Sequence, residues 1–97
     1  MKLRVDPEAL QELLDAEAYT TKEFGKHVAN EFRLSVAAAL EEITKFPERY
    51  KKTQKNIRSK VLIPYPFSIV YESINDTVRV YAFAHSKRKP GYWRKRT

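Results

Sequence analysis

Apolar residues recur at helical spacing through the first half of the chain. One set predicts a helix that runs to about Phe24 and breaks near Gly25, and its members are Leu10, Leu13, Leu14 and Ala18. Asp6 and Pro7 suit the N-cap and the first helical position. A second set predicts a helix that ends before Pro47, and it consists of Val28, Phe32, Val36, Ala39, Leu40 and Ile43. Because the connection is short, the two helices are expected to be antiparallel neighbours.

After Pro47 the apolar period changes to two. Residues 57–63, 66–72 and 77–85 are interpreted as strands, residues 2–5 as a short opening strand, and residues 49–56 as a polar, basic connection. Asn75 and Asp76 tolerate the positive φ of a tight turn, which predicts a hairpin between the last two strands. The fold class predicted is therefore α+β, with a helical hairpin covering one face of a small, mainly antiparallel sheet.

A two-residue turn at Asn75-Asp76 assigns each residue of that hairpin to a face. The face expected to meet the helices carries Phe67, Ile69, Tyr71, Val80, Ala82 and Ala84. The other face, expected to be open, carries Ser68, Val70, Glu72, Arg79, Tyr81, Phe83 and His85. Function is therefore sought on the open face, where His85 lies at the end of the last strand.

Charge divides the chain into two halves. The 97 residues are expected to form one domain, with a basic C-terminal segment at residues 86–97. Residues 1–48 hold six Lys and Arg against ten Asp and Glu, whereas residues 49–97 hold thirteen against two. Such a basic half favours a polyanionic partner, although a solvated surface or an acidic protein partner is also compatible with it. No cysteine and no long apolar run occur, so a cytoplasmic protein that does not cross a membrane is expected.

Candidate chemistry rests on a few side chains. His85 has the ordinary pKa of a proton carrier, but a lone histidine can equally cap a strand. Arg58 and Lys60 share one face of their strand and are expected on the same side as His85, where they would hold phosphates; alternatively they protect an edge strand. The loop residues that add general attraction for nucleic acid are Lys51, Lys52 and Lys55.

The C-terminal segment interleaves cations with aromatic residues. Tyr92 is available to stack on an unpaired base, and the cations expected to bind a nucleic-acid backbone are Lys87, Arg88, Lys89, Arg94, Lys95 and Arg96. Trp93 is expected instead to fold back over the edge of the core. Two histidines without cysteine leave little for zinc, so no metal and no cofactor are predicted.

Taken together, the motifs resemble a known superfamily. The order of two helices, KFPERY, IRSKVLI, PYPFSIVYE and VRVYAFAHSKRKPGYW is similar to the RelE/ParE toxins of bacterial type II toxin–antitoxin systems, over nearly the whole chain. The resemblance implies a helical hairpin on a sheet, and a cognate antitoxin protein that neutralises the toxin.

The superfamily contains two activities. RelE-like members cut messenger RNA on the ribosome without a metal, and the resemblance assigns the catalytic set to His85, Arg58, Lys60, Arg88 and Tyr92. Many of them carry arginine where this chain has Ser68, which is a departure from that pattern. ParE-like members bind and inhibit DNA gyrase instead. A ribosome-dependent endoribonuclease is the predicted function, with gyrase inhibition as the alternative.

Overall fold

The computed structural model describes all residues, 1–97, as one bent helix on a five-stranded sheet. The elements are β1 (Lys2–Val5), α1 (Pro7–Lys45), β2 (Lys51–Gln54), β3 (Ile57–Val61), β4 (Phe67–Ile74), β5 (Thr77–His85) and a short 3-10 helix (Arg94–Arg96). The strand order is β1-β5-β4-β3-β2, and only the β1–β5 pair is parallel. The predicted α+β class with a mainly antiparallel sheet is confirmed.

The helix begins and ends where its capping residues indicate. The Asp6 carboxylate accepts a hydrogen bond from the Glu8 backbone N–H at 2.8 Å, Pro7 is the first helical residue, and the helix ends at Lys45, before Pro47. Where the sequence predicts two helices, the structure has one helical run with non-helical backbone at Gly25. We therefore describe α1 as one helix with a first arm (7–24) and a second arm (26–45).

The two arms of α1 lie side by side. Arg33 Nε is 3.4 Å from Glu17 Oε2, although sixteen residues of straight helix would span about 24 Å. The second arm buries Phe32, Val36, Ala39 and Ile43, as its apolar pattern predicts. The buried residues of the first arm are mainly small, namely Ala9, Ala16 and Thr20. The predicted stripe of the first arm is therefore wrong at Leu10, Leu14 and Ala18, which are exposed.

The segment expected to be a polar connection contains a strand. Within residues 49–56, Lys51–Gln54 form β2, which pairs antiparallel with β3 at the edge of the sheet. The alternation that marks a half-buried strand is missing there, because three of its four residues are exposed. Lysines on an edge strand also discourage pairing with another chain.

The hairpin turn is correctly predicted, but the register beyond it is not. Asn75 and Asp76 have φ values of 48° and 61°, and the pairs Ile74–Thr77 and Tyr71–Val80 follow from that turn. A β-bulge then shifts the register, so that Val70 faces Ala82 rather than the expected Tyr81. Every later residue of β5 changes face. Phe83 consequently lies in the core under the helix, and Ala82 and Ala84 lie on the other side.

The sheet face away from the helix is not open. A second apolar cluster covers it, formed by Ile57, Val70, Tyr81, Ala82 and Trp93. Trp93 is 6% exposed, so the C-terminal segment folds back onto the sheet as predicted for that residue. No helix is both long and apolar enough to pass through a membrane.

Candidate functional site

His85 lies on the face of the sheet that the helix covers. The β-bulge pairs it with Phe67, and the two rings meet edge to face with centroids 5.0 Å apart. Its Nδ1 accepts a hydrogen bond of 3.0 Å from the Lys87 backbone N–H. The prediction that His85 occupies an open face opposite the helix is therefore wrong, because one extra residue in β5 reverses its side.

Three of the five predicted catalytic residues line one cavity. His85, Arg88 and Tyr92 surround a space of about 330 Å³ between the first arm of α1 and the end of β5, together with Glu12 and Asp15. An adjoining cavity of about 420 Å³ continues past His85 between the arms and the β3–β4 connection. Its lining is largely aromatic and includes Tyr19, Phe24, Phe32, Tyr65 and Phe67. The two cavities form a groove with a polar end at Glu12 and an apolar end at Phe24.

Glu12 holds the polar end of this groove together. Its Oε1 accepts hydrogen bonds from Arg96 Nη1 at 2.8 Å and from the Phe83 backbone N–H at 3.2 Å. Its Oε2 accepts from the Tyr92 hydroxyl at 2.5 Å and lies 3.9 Å from Arg88 Nη1. This residue was not singled out in the sequence analysis. The signal was its spacing, since Glu12 lies between Ala9 and Ala16 on the buried side of the first arm.

The Tyr92 side chain is fixed as a donor. Burial and the hydrogen bond to Glu12 raise the pKa of the Tyr92 hydroxyl to about 12. The Arg88 guanidinium lies 3.8 Å from its ring centroid, and that of Arg96 lies at 5.1 Å. With a pKa this high the hydroxyl remains protonated near neutral pH, and the two guanidinium groups beside the ring restrict its access to a base.

Arg58 and Lys60 belong to a different part of the molecule. They lie on the helix side of the sheet, like His85, but Arg58 pairs with Tyr71 and His85 with Phe67, four residues apart or about 13 Å along β4. Arg58 donates to the Tyr50 carbonyl at 2.8 Å, and Lys60 Nζ lies 3.4 Å from Glu42 Oε2. The predicted open-face position of these two cations is wrong, and neither lines the groove around His85.

Glu42 is the partner of the cations at this second location. Its carboxylate accepts from the Tyr50 hydroxyl at 3.0 Å and lies 3.4 Å from both Lys60 and Arg49. The hydrogen bonds from Tyr50 and Lys60 lower the pKa of the Glu42 carboxyl, with the Lys60 charge adding to them. The positive charge of Lys60 is therefore partly balanced within the protein.

Ser68 lies on the face away from the helix. It pairs with Ala84 and Val61, and both neighbours along β4 point to the other side. Since His85 is on the helix side, the serine and the histidine do not share a surface.

Most of the other predicted nucleic-acid contacts are exposed and free of ion pairs. They are Lys51, Lys52, Lys55, Lys87, Lys89 and Arg94. Arg94 Nε donates to Gln54 Oε1 at 3.1 Å, which brings the C-terminal segment beside β2.

Comparisons with known proteins agree with this architecture. No curated protein has a matching sequence. A chain of the solved chromosomal ParDE toxin–antitoxin system from P. aeruginosa has a similar fold, with a TM-score of 0.69, 13% identity, and coverage of 88% of this chain and 95% of that one. The sequence model described as the ParE toxin of the type II toxin-antitoxin system parDE matches residues 3–90. Because that match spans most of the chain, the protein belongs to the ParE toxin family of type II toxin–antitoxin systems.

Proposed function

We propose that this protein acts by binding DNA gyrase and inhibiting it, without chemistry of its own. Family membership favours this activity over ribonuclease activity. The observation that carries the proposal is the separation of the five residues assigned to RNA cleavage. Arg58 and Lys60 lie beside Tyr50 and Glu42, whereas the other three line the cavity that Glu12 also lines.

Each group in the cleavage set has another partner. Metal-free RNA cleavage needs cations aimed at the phosphate and groups that move a proton near neutral pH. Lys60 is paired with Glu42, Arg88 lies near Glu12, and Tyr92 donates to Glu12 with a pKa of about 12. Ser68 supplies no charge and lies on the opposite face from His85. These contacts support a protein that binds its target rather than one that cuts RNA.

Ribosome-dependent cleavage of messenger RNA is the alternative, and one observation favours it. His85, Arg88 and Tyr92 line a common cavity, so a proton carrier and a cation are within one site. In that alternative the ribosome would have to supply the charge stabilisation that Arg58 and Lys60 do not provide at this place.

A cognate antitoxin is the second proposed partner. We expect an acidic or amphipathic segment of that protein to cover the exposed cations of residues 49–97 and the two arms of α1. Exposed leucines on both arms support an apolar component, namely Leu10, Leu14 and Leu34. A small open reading frame beside the gene, whose product co-purifies with this chain, is the expected observation.

Two assays separate the proposed activities. Purified protein should inhibit supercoiling of relaxed plasmid by gyrase, and the same protein in a bacterial translation extract should leave a defined message intact. A His85→Gln variant should still inhibit gyrase, because no proton transfer is required. New 5′ ends that need ribosomes and disappear in the His85→Gln variant, with gyrase unaffected, would replace the proposal with the ribonuclease.

A further inference from the structure

We infer that the β2 edge of the sheet, together with the C-terminal 3-10 helix, binds the phosphate backbone of double-stranded DNA. The inference deepens the proposed function and rests on it for its biological context, since gyrase acts on duplex DNA. The surface consists of four cations that we call the basic ridge: Lys51, Lys55, Arg94 and Lys95.

Folding brings the two parts of the basic ridge together. The hydrogen bond from Arg94 Nε to Gln54 Oε1 joins positions forty residues apart, at 3.1 Å. Lys51 lies on the same face of β2 as Gln54, the face away from the helix, and Lys55 follows in the turn. Lys52 pairs with Arg58 and therefore lies on the helix side, outside the ridge. Lys95 adjoins Arg94 in the 3-10 helix. Two basic segments that are distant in sequence therefore form one surface.

The charge of the basic ridge is not balanced within the protein. All four side chains are exposed and none forms an ion pair, in contrast to Arg49, Lys60, Arg88 and Arg96. Residues 49–97 contain only two acidic side chains, Glu72 and Asp76. The Glu72 carboxylate accepts a hydrogen bond from the Tyr81 hydroxyl. A cluster of free cations attracts phosphates by releasing the counter-ions condensed on DNA.

The basic ridge offers no exposed aromatic ring. Trp93 is buried in the second apolar cluster, and the guanidinium groups of Arg88 and Arg96 lie near the ring of Tyr92. The ring of Tyr50, next to Lys51, is covered by Lys60 Nζ at 4.4 Å from its centroid. Proteins that bind single strands combine cations with rings on which bases stack, whereas duplex backbone binding needs cations alone. The expectation that Tyr92 stacks on an unpaired base is therefore not supported, and duplex DNA is the better fit.

Fluorescence anisotropy with a labelled 20-bp duplex of mixed sequence tests the inference. If each of the four cations contacts one phosphate, affinity should fall roughly 150-fold between 50 and 200 mM salt, because the log–log slope is about −3.6. A Lys51→Gln/Lys55→Gln variant should reduce that slope by about 1.8. The matched control, Lys22→Gln/Lys26→Gln, removes the same charge from exposed, unpaired lysines of α1 and should leave the slope nearly unchanged.

Two outcomes would overturn the inference: equal slopes for the ridge and control variants, or tighter binding of single-stranded DNA or RNA of the same length. Circular dichroism of both variants establishes that each is folded. A gyrase supercoiling assay is run beside the binding assay. Duplex binding that depends on the basic ridge, with no inhibition of gyrase, would contradict the proposed function and leave the DNA-binding surface intact.

Discussion

At the residue scale, Glu12 and Arg96 replace a missing neighbour of β5. The backbone of β1 pairs with β5 only as far as Val80, where Asp6 N–H donates to the Val80 carbonyl. Beyond that point Glu12 accepts from the Phe83 N–H, and Arg96 donates to the Tyr81 carbonyl at 3.0 Å. The ion pair thus satisfies backbone groups that a further strand would otherwise bind.

Glu12→Ala should lower the free energy of unfolding by roughly 3 kcal/mol, measured by urea denaturation. The substitution leaves Arg96 without its closest partner and the Phe83 N–H without an acceptor. Both losses occur away from solvent, because the Glu12 side chain is 17% exposed and that of Arg96 is 11% exposed. Glu8→Ala is the control, because Glu8 also contacts Arg96 but is 72% exposed, and it should cost less than about 1 kcal/mol. Equal effects of the two substitutions would contradict the role assigned to Glu12.

Three tyrosines predict a loss of stability at alkaline pH. Burial, in each case the largest cause, raises the pKa values of Tyr71, Tyr81 and Tyr92 from 10.0 to about 12. A raised folded pKa means that the stabilisation is complete below pH 10.0 and is lost as pH rises through about 12. Between those values each tyrosine should reduce stability by up to about 1.4 kcal/mol per pH unit.

Guanidinium unfolding of the wild type and Tyr92→Phe between pH 9 and 11.5 measures this effect (the range brackets an ordinary tyrosine pKa of about 10). The variant lacks one titrating group, so its stability should fall less steeply with pH. Parallel curves for the two proteins would show that Tyr92 titrates normally in the folded state.

At the element scale, single backbone positions decide the direction of whole segments. One extra residue in β5 moves Phe83 and His85 under the helix. Gly25 has φ 89° and ψ 170° within α1, a combination that is almost restricted to glycine, and the helix changes direction there.

Gly25→Ala should therefore destabilise the protein by about 1–3 kcal/mol through backbone strain. An added Cβ would meet no atom within 4 Å, so steric overlap with other residues does not contribute. Lys26→Ala, at the next position, is the control and should be close to neutral because the lysine is exposed. Thermal unfolding measures both. A Gly25→Ala protein that melts with the control would show that alanine fits this bend.

At the scale of the whole molecule, the sheet is packed on both faces. The helix covers one face, and the C-terminal segment covers the other through Trp93. Acidic residues are concentrated in α1, whereas most of the unpaired cations lie on the sheet and the C-terminal segment. The charge asymmetry of the sequence thus becomes an asymmetry of surfaces, which suits partners of opposite charge at different faces.

Trp93→Ala should cost about 3–5 kcal/mol, because it removes the largest side chain of the second apolar cluster. Lys95→Ala, two residues further on and exposed, should change stability by less than about 0.5 kcal/mol. Urea denaturation compares the two. A small effect of Trp93→Ala would mean that the C-terminal segment contributes little to folding.

Much of the fold could be predicted from local patterns. The N-cap at Asp6, the apolar stripe of the second arm and the turn at Asn75-Asp76 depend on neighbouring residues, and each is where its pattern indicates. β2 was missed because an exposed edge strand carries no alternation. The site was predicted less well, since membership of the groove depends on which face a residue occupies.

The sequence by itself determined the α+β class, the helix boundaries, the hairpin turn and the segregated charge, because capping, periodicity and composition act over short distances. The tertiary structure decided which cations remain free and on which face His85 lies. Those properties depend on a bulge in β5 and on contacts between distant residues, such as Glu12 with Arg96 and Gln54 with Arg94. A one-residue change of register moves the following side chains of a strand to the opposite face, and a carboxylate distant in sequence can neutralise a cation. A local sequence pattern therefore predicts neither the face of His85 nor which cations are free.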